Sequence, residues 1–351
     1  MEIMKRKRKI AVILIGSLLL TGCAAQLEEI VYASKETTES IFAMDTYMTV
    51  TAYGAHGKEA VAEAVKEIQR LDDLLSTGSE ESEVTALNQN GGGVLSEDTA
   101  YLWEKSVEAF EETKGAFDVT IYPVMKAWGF TDSNFQVPEK EMLQKLIEKV
   151  DSSAVVYDAE IKNLQLPQSV EIDFGGIAKG YTSERVAQVM KDCGVKSGML
   201  NLGGNVELIG EKPDGSKFKV AIQSPAHDGN YLGVLQISDM AVITSGSYER
   251  YFEEGGVTYH HIIDPATGYP AKNGLLSVTI VSQDATLADA YSTALFVMGT
   301  QKAISFWRTH TEEFDAVLLT EEGDLLVTEG LQGVFSSERV YHIIEKQEGI
   351  K

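Results

Sequence analysis

The sequence predicts an α+β fold, a single large domain of mixed sheets and helices. Three observations point to it. Strand-like and helix-like segments follow one another without regular βαβ alternation. No stretch has the composition of an interdomain linker, and no segment repeats. The chain has 351 residues and 44% apolar composition, enough for a sizeable core in one large domain or two ordinary ones.

The N-terminus departs from a globular pattern. Lys5 to Lys9 reads KRKRK, and an apolar run, Ile10 to Leu20, leads to Thr21-Gly22-Cys23. So short an apolar core suits a signal peptide better than a spanning helix. LTGC, ending at Cys23, looks like a bacterial lipobox. Residues 1–22 are therefore expected to be a lipoprotein signal peptide, Cys23 the lipidated residue, and residues 23–40 an acidic tether on the extracytoplasmic face of the cell membrane. Removing residues 1–22 takes away five basic residues and one acidic one, so the net charge falls from −23 to −27. Such a charge argues against nucleic acid as a partner and against charge-driven binding to anionic lipid. Any phosphate site must be a local positive feature. Cys193 is then the remaining thiol, and no disulfide framework exists.

The domain is expected over residues 41–346. Ile41 to Tyr53 alternates as a strand carrying Met44-Asp45-Thr46. Lys58 to Leu75 is the clearest helix, with Val61, Ala64, Val65, Ile68, Leu71 and Leu75 at helical spacing. A short helical segment begins at Ser82, and a longer helix follows Ser96 as N-cap and stops at Lys114-Gly115. Ala116 to Phe130 is aromatic and apolar without helical spacing and reads as a core loop. Pro138 opens a helix to about Val150, and two short strands follow, Val155 to Tyr157 and Ile161 to Leu166. Val170, Ile172 and Phe174 alternate as a strand before DFGGIAKGY, Asp173 to Tyr181, where a helix begins. Met199 to Ile209 reads as a strand with an internal Gly203-Gly204. Further strands are expected at Phe218 to Gln223, Leu232 to Ile237, Ala241 to Thr244 and Leu275 to Val281. Tyr248 to Ile263 reads as a hairpin turning at Gly255-Gly256. Helices over Thr286 to Met298 and Lys302 to Thr309 and three closing strands complete the chain.

Three places carry chemistry. The Gly turn at Asp173 to Tyr181 reads as strand, turn and helix, either a tight structural turn or an anion site at a positive helix end. Lys179 in the first helical turn opposes the dipole, which a bound phosphate would offset. Asp289 and Thr293, four apart, share a helix face and offer hard oxygen ligands suited to Mg²⁺ or Ca²⁺ rather than zinc. Taken alone, such a pair is more often an exposed carboxylate and a back-bonded hydroxyl than a metal site. His260 and His261 alternate in direction along a strand, so at most one serves a site. No GxSxG, HExxH or Cys-His pairing appears, which disfavours hydrolytic triads and zinc sites.

DFGGIAKGY, NLGGN (Asn201 to Asn205), TSGSYERYF (Thr244 to Phe252), HIIDPATG (His261 to Gly268) and LADAYST (Leu287 to Thr293) occur in that order. With MDT near the start and GAFDVT…WGF, they resemble the ApbE-type flavin transferases, extracytoplasmic enzymes with a T-fold-like α+β domain that are often lipoproteins. The resemblance spans about Ile41 to the C-terminus. It implies an enzyme that takes FAD as substrate with Mg²⁺, cleaves the diphosphate, and attaches FMN by a phosphoester to a Thr or Ser of an exported acceptor protein, releasing AMP. It implies that Asp289, Thr293 and the Gly176 carbonyl hold the metal and that Asp173 and Lys179 contact FAD. It further implies that Met44, Trp128, Gly129, Phe130 and Ile263 line the flavin and adenosine pocket, and that His261 is the general base. Gly78 stands where several members carry an aromatic residue, Ser292 where some carry a carboxylate, and Asp45 where Gly is commoner. The competing expectations are an FAD pyrophosphatase, giving FMN and AMP, and a non-catalytic flavin-binding lipoprotein.

Overall fold

The computed structural model describes residues 35–226 and 229–347. Residues 1–22, Cys23 and most of the expected tether lie outside the described residues. In chain order the elements are β1 (Glu36–Ala43), β2 (Thr46–Tyr53), α1 (Gly57–Leu75), α2 (Glu83–Asn90), β3 (Gly92–Val94), α3 (Glu97–Glu112), α4 (Tyr122–Trp128), α5 (Lys140–Ile147), β4 (Val156–Asp158), β5 (Asn163–Gln165), α6 (Ala178–Asp192), β6 (Gly198–Leu202) and β7 (Asn205–Ile209). There follow β8 (Phe218–Gln223), β9 (Tyr231–Ile237), β10 (Ala241–Gly246), β11 (Tyr251–Glu254), β12 (Val257–His260), β13 (Leu275–Ser282), α7 (Ala285–Met298), α8 (Thr300–Thr309), β14 (Phe314–Thr320), β15 (Leu325–Thr328), β16 (Phe335–Ser336) and β17 (Tyr341–Ile344).

A nine-stranded sheet in the order β1-β2-β6-β7-β10-β13-β14-β15-β17 forms the backbone of the domain. Its pairs are antiparallel except β15 with β17. The central strands are buried on both faces, and period two sorts their residues. Ala241, Ile243, Val278, Ile280, Ala316 and Leu318 pack against α7 and α8. Val242, Val281, Val317 and Leu319 pack against the smaller sheet β16-β9-β8. The stripe read from the sequence of α1 holds: Val61, Ala64, Ile68, Leu71 and Leu75 are buried. Among the described residues, no helix is long and apolar enough to cross a membrane.

Five expectations need correction. The first strand is a hairpin, not one strand: Ala43 pairs with Thr46, and Met44 and Asp45 form the two-residue turn with φ of 48° and 59°. A turn with both central residues left-handed matches strand twist, but Met and Asp do not advertise it as Asn-Gly would. The expected tether ends early for the same reason, because Glu36 to Ser40 pair with β2 rather than trail in solvent. Met199 to Ile209 is also a hairpin, β6–β7, turning at Gly203-Gly204 with φ of 65° and 99°. Ala116 to Phe130 is not a loop but a 3₁₀ turn, Val119–Ile121, followed by α4, with Pro123 in the first turn. Finally, Val170 to Phe174 is extended without being a strand. Asn88 holds it by exchanging both amide bonds with the backbone of Ile172, each at 2.8 Å. Asp173 donates its N–H to Val119 at 2.9 Å.

Candidate active site

The Gly turn after Asp173 and the two helices α6 and α7 meet at one cleft. Its lining includes Asp173, Gly176, Lys179, His261, Ile263, Asp289 and Thr293, which the sequence pointed to. It also includes Phe117, Met125, Ser245, Glu249 and Arg250, which it did not. The enclosed volume is about 150 Å³. A larger groove of about 780 Å³ shares Ala116 with it and is bordered by Asp264 and Ala266.

Asp289 is the buried centre. It is 4% exposed on a largely buried helix, and both its oxygens are held: Oδ2 accepts the N–H of Gly180 at 2.8 Å, and Oδ1 accepts from the Asn205 amide at 3.0 Å. The positive end of α6, expected to await a phosphate, is therefore capped in part by the protein's own carboxylate. Other N–H groups of the Gly turn are also committed: Gly175 to Asp173 Oδ1 at 3.0 Å, and Ile177 and Ala178 to the Phe174 carbonyl. Thr293 lies one turn on from Asp289, as helical spacing requires. Its hydroxyl is 3.3 Å from Ser245 Oγ and 3.5 Å from the Asp289 carbonyl, so it is only loosely held. Ser292, fully buried and not bordering the cleft, bonds the same two partners more closely, at 2.8 Å each. An all-oxygen donor set around one buried carboxylate fits a hard divalent cation.

The two histidines divide as alternation demands. His260 is buried and bonds the Ala271 carbonyl at 2.9 Å through Nε2. His261 borders the cleft, with Nδ1 3.1 Å from the Arg250 carbonyl. A carbonyl only accepts, so Nδ1 carries the proton and the Nε2 lone pair is left for another partner. Burial, reinforced by the Arg250 and Lys179 charges, pushes the imidazole down to about 3, so it is neutral at physiological pH. Burial likewise raises Asp173, against the pull of its Gly175 bond and of Arg250 and Lys179. Glu249 is pushed up to about 7 by burial within the cleft wall, with Lys179 opposing and Asp289 adding to the rise.

Four expected flavin contacts do not border the cleft. Trp128 and Phe130 are buried with Val124, Leu143 and Ile263 in a separate core cluster. Trp128 donates its indole N–H to Gly268 at 2.7 Å. Gly129 ends α4 with φ of 75°, where a Cβ would lie 2.0 Å from the Asn134 carbonyl. These residues brace the wall that Ile263 presents. The correction has a simple cause: an aromatic run is more often core than ligand platform, and the indole found its partner in the backbone. Met44 packs between two core clusters, with the Thr182 hydroxyl 3.7 Å from its sulfur and its N–H on Asp72 at 3.0 Å.

Of the residues missed, Glu249 and Arg250 were readable as the only charges within TSGSYERYF. Arg250 anchors the wall by donating to the Phe130 carbonyl at 2.7 Å. Asn205 carried no signal beyond its place after the Gly203-Gly204 turn.

The ApbE family profile matches residues 44–318. The FAD:protein FMN transferase of Klebsiella pneumoniae (strain 342) is 32% identical over 279 residues, covering 78% of this chain and 86% of that protein. That of Treponema pallidum (strain Nichols) is 30% identical over 296 residues, covering 78% and 82%. Among solved structures, the ApbE protein of Thermotoga maritima superposes with a TM-score of 0.81 at 31% identity, over 87% of this chain and 100% of that one. The flavin transferase ApbE of Vibrio cholerae does so with 0.77 at 25% identity, over 86% and 99%.

Proposed function

The chain belongs to the ApbE family, and from that premise we propose that it moves FMN from FAD onto a hydroxyl of an exported acceptor protein, with Mg²⁺ as the metal. It is an enzyme, a FAD:protein FMN transferase with FAD as its substrate, like the relatives that match it over most of its length. The observation that supports the finer reading most is the meeting of Asp289, Lys179 and His261 at one cleft.

The cleft's 150 Å³ is smaller than the roughly 300–1,000 Å³ of sites that bury a whole drug-sized ligand. It suits the diphosphate end of FAD, with the rings lying outward along the adjoining groove. Asp289 and Thr293, with the backbone at Gly176, would hold Mg²⁺, which would neutralise charge on the diphosphate oxygens. Lys179 and Arg250 add positive charge to the same wall of a strongly acidic protein. Asn205 and Gly180 hold the Asp289 carboxylate in one orientation before any ligand arrives. His261 Nε2 accepts the proton of the acceptor Thr or Ser hydroxyl as its oxygen bonds to the FMN phosphorus. The bond from that phosphorus to the AMP oxygen breaks, and AMP leaves with the electron pair. Water in place of the hydroxyl gives FMN and AMP instead. A binder that never turned FAD over would need neither the buried carboxylate nor the neutral imidazole beside it.

The reading extends to the N-terminus: Cys23 carries the lipid anchor after loss of residues 1–22, holding the domain on the extracytoplasmic face of the membrane. The domain itself begins with β1 at Glu36.

Incubating the mature domain with FAD, Mg²⁺ and an exported acceptor, then denaturing the proteins on a gel, tests the activity. Flavin fluorescence on the acceptor band is the expected result. Free FMN alone would assign a pyrophosphatase, and intact bound FAD a binder.

A further inference from the structure

We propose a second metal site, separate from the cleft, in which His310, Glu112 and Glu313 bind a divalent ion of the Zn²⁺ class. One ligand atom of each residue lies within 4.8 Å of the other two. The imidazole carries the inference. Its Nδ1 is 2.8 Å from the Phe306 carbonyl and 2.9 Å from Thr309 Oγ1. The Thr309 hydroxyl itself donates to that carbonyl at 2.8 Å, so both neighbours of Nδ1 can only accept. The proton therefore sits on Nδ1, and Nε2 presents a lone pair. It faces Glu112 Oε2 at 3.8 Å, too far for a hydrogen bond. Two acceptors facing each other across that gap call for a cation between them.

The surroundings are built as metal sites are built. A ligating imidazole characteristically gives its other N–H to a backbone carbonyl, which sets tautomer and ring orientation. Here the ring is also stacked on Phe306, with centroids 3.9 Å apart at 18°. The Glu112 carboxylate is oriented in turn by the Tyr291 hydroxyl, which donates to Oε2. The cluster lies where α3 ends at Glu112 and α8 ends at Thr309, two helix termini whose negative ends favour a cation. Metal–ligand bonds of about 2.0–2.2 Å put neighbouring ligand atoms roughly 3.3–3.6 Å apart, so the observed spacing needs only a small closure of exposed glutamates. One imidazole with two carboxylates suits Zn²⁺ or Mn²⁺ rather than Mg²⁺, which prefers oxygen alone. Water completes the shell on the open side. Such an ion joins the end of α3 to the α8–β14 junction. Through Tyr291 it braces α7, the helix whose other turns carry Asp289 and Thr293.

Chelator-treated protein, with millimolar Mg²⁺ present to occupy the cleft, is titrated with ZnCl₂ by calorimetry, and bound metal is counted. One Zn²⁺ per chain is expected in the wild type and in Asp289→Asn, with affinity at least ten-fold weaker in His310→Gln. Zn²⁺ should raise the melting temperature of the wild type by several degrees and leave His310→Gln unmoved. If His310→Gln fails to fold by circular dichroism, Glu313→Gln, at an exposed position, supplies the same comparison. Absence of Zn²⁺ binding would reduce the cluster to an ion pair of His310 with Glu112 and overturn the proposal. So would binding that is lost in Asp289→Asn or unchanged in both cluster variants.

Discussion

Asp289 and Gly180 lock the two central helices of the site together: the carboxylate accepts the glycine N–H at 2.8 Å, and the glycine has no room for a side chain. A Cβ at Gly180 would stand 2.1 Å from the Ala285 carbonyl and 2.7 Å from Asp289 Cβ. Backbone on one side and the site carboxylate on the other cannot both yield. Gly180→Ala should therefore cost about 3 kcal/mol, the upper end of overpacking penalties, and should displace Asp289 from its bond. Denaturant unfolding measures the first effect and Mg²⁺-dependent turnover of FAD the second. A variant as stable and active as the wild type would show that α6 and α7 can part without consequence.

Asp289 is also the residue whose removal should most directly end metal dependence. Charge stabilisation by a bound metal contributes several kcal/mol to phosphoryl transfer, so Asp289→Ala should lower Mg²⁺-supported turnover by a factor of ~10³. Asn205→Ala leaves the carboxylate in place but frees Oδ1, and a smaller loss is expected, mostly as a higher Mg²⁺ requirement. Titrating Mg²⁺ against FAD cleavage separates the two. Full activity in Asp289→Ala would move the metal elsewhere.

The same residues show what could be read in advance. Asp289 and Thr293 announced themselves as polar positions four apart on one helix face, and Ala241 to Thr244 and Leu275 to Val281 read as strands, as β10 and β13 are. Gly180 did not announce itself, because its reason is a neighbouring helix more than a hundred positions away in sequence. The Met44-Asp45 turn was hidden because a left-handed pair of those residue types follows from strand pairing, not from propensity. Trp128 and Phe130 were assigned to the flavin pocket by the family resemblance alone, whereas tertiary packing buries both in a core cluster beside the cleft. Asn205 and Arg250 act through single hydrogen bonds to distant partners, and no spacing encodes such bonds.

His261→Ala should keep FAD binding and lose transfer by ~10²–10⁴, the usual worth of a positioned general base. The pH dependence gives a second handle. Burial and the flanking Arg250 and Lys179 hold the free imidazole down to about 3 instead of its ordinary 6.5. Protonation of His261 therefore should not limit kcat/KM as pH falls from 7 to 5, and the loss assigned to it should come near the lower value. A loss of activity centred near 6.5 that disappears in His261→Ala would contradict the buried, neutral base.

Glu207 offers a test of the fold away from the site. It is 93% buried within the central sheet, on β7 opposite Ala241, and its Oε2 has no hydrogen-bond partner. Burial pushes the carboxyl up from 4.5 to about 8, with Lys191 only partly opposing. Between those two values the folded protein keeps a proton that the unfolded chain has released. The unfolded state then binds fewer protons, and stability must fall as pH rises, by roughly 1 kcal/mol per pH unit. Glu207→Gln removes the ionisation and keeps the shape. The variant should be near the wild type in stability at pH 5 and pull ahead by a few kcal/mol at pH 8.5. Urea unfolding of both proteins across that range measures the difference directly. Parallel stability profiles would mean that Glu207 is ionised in the fold and finds a partner there.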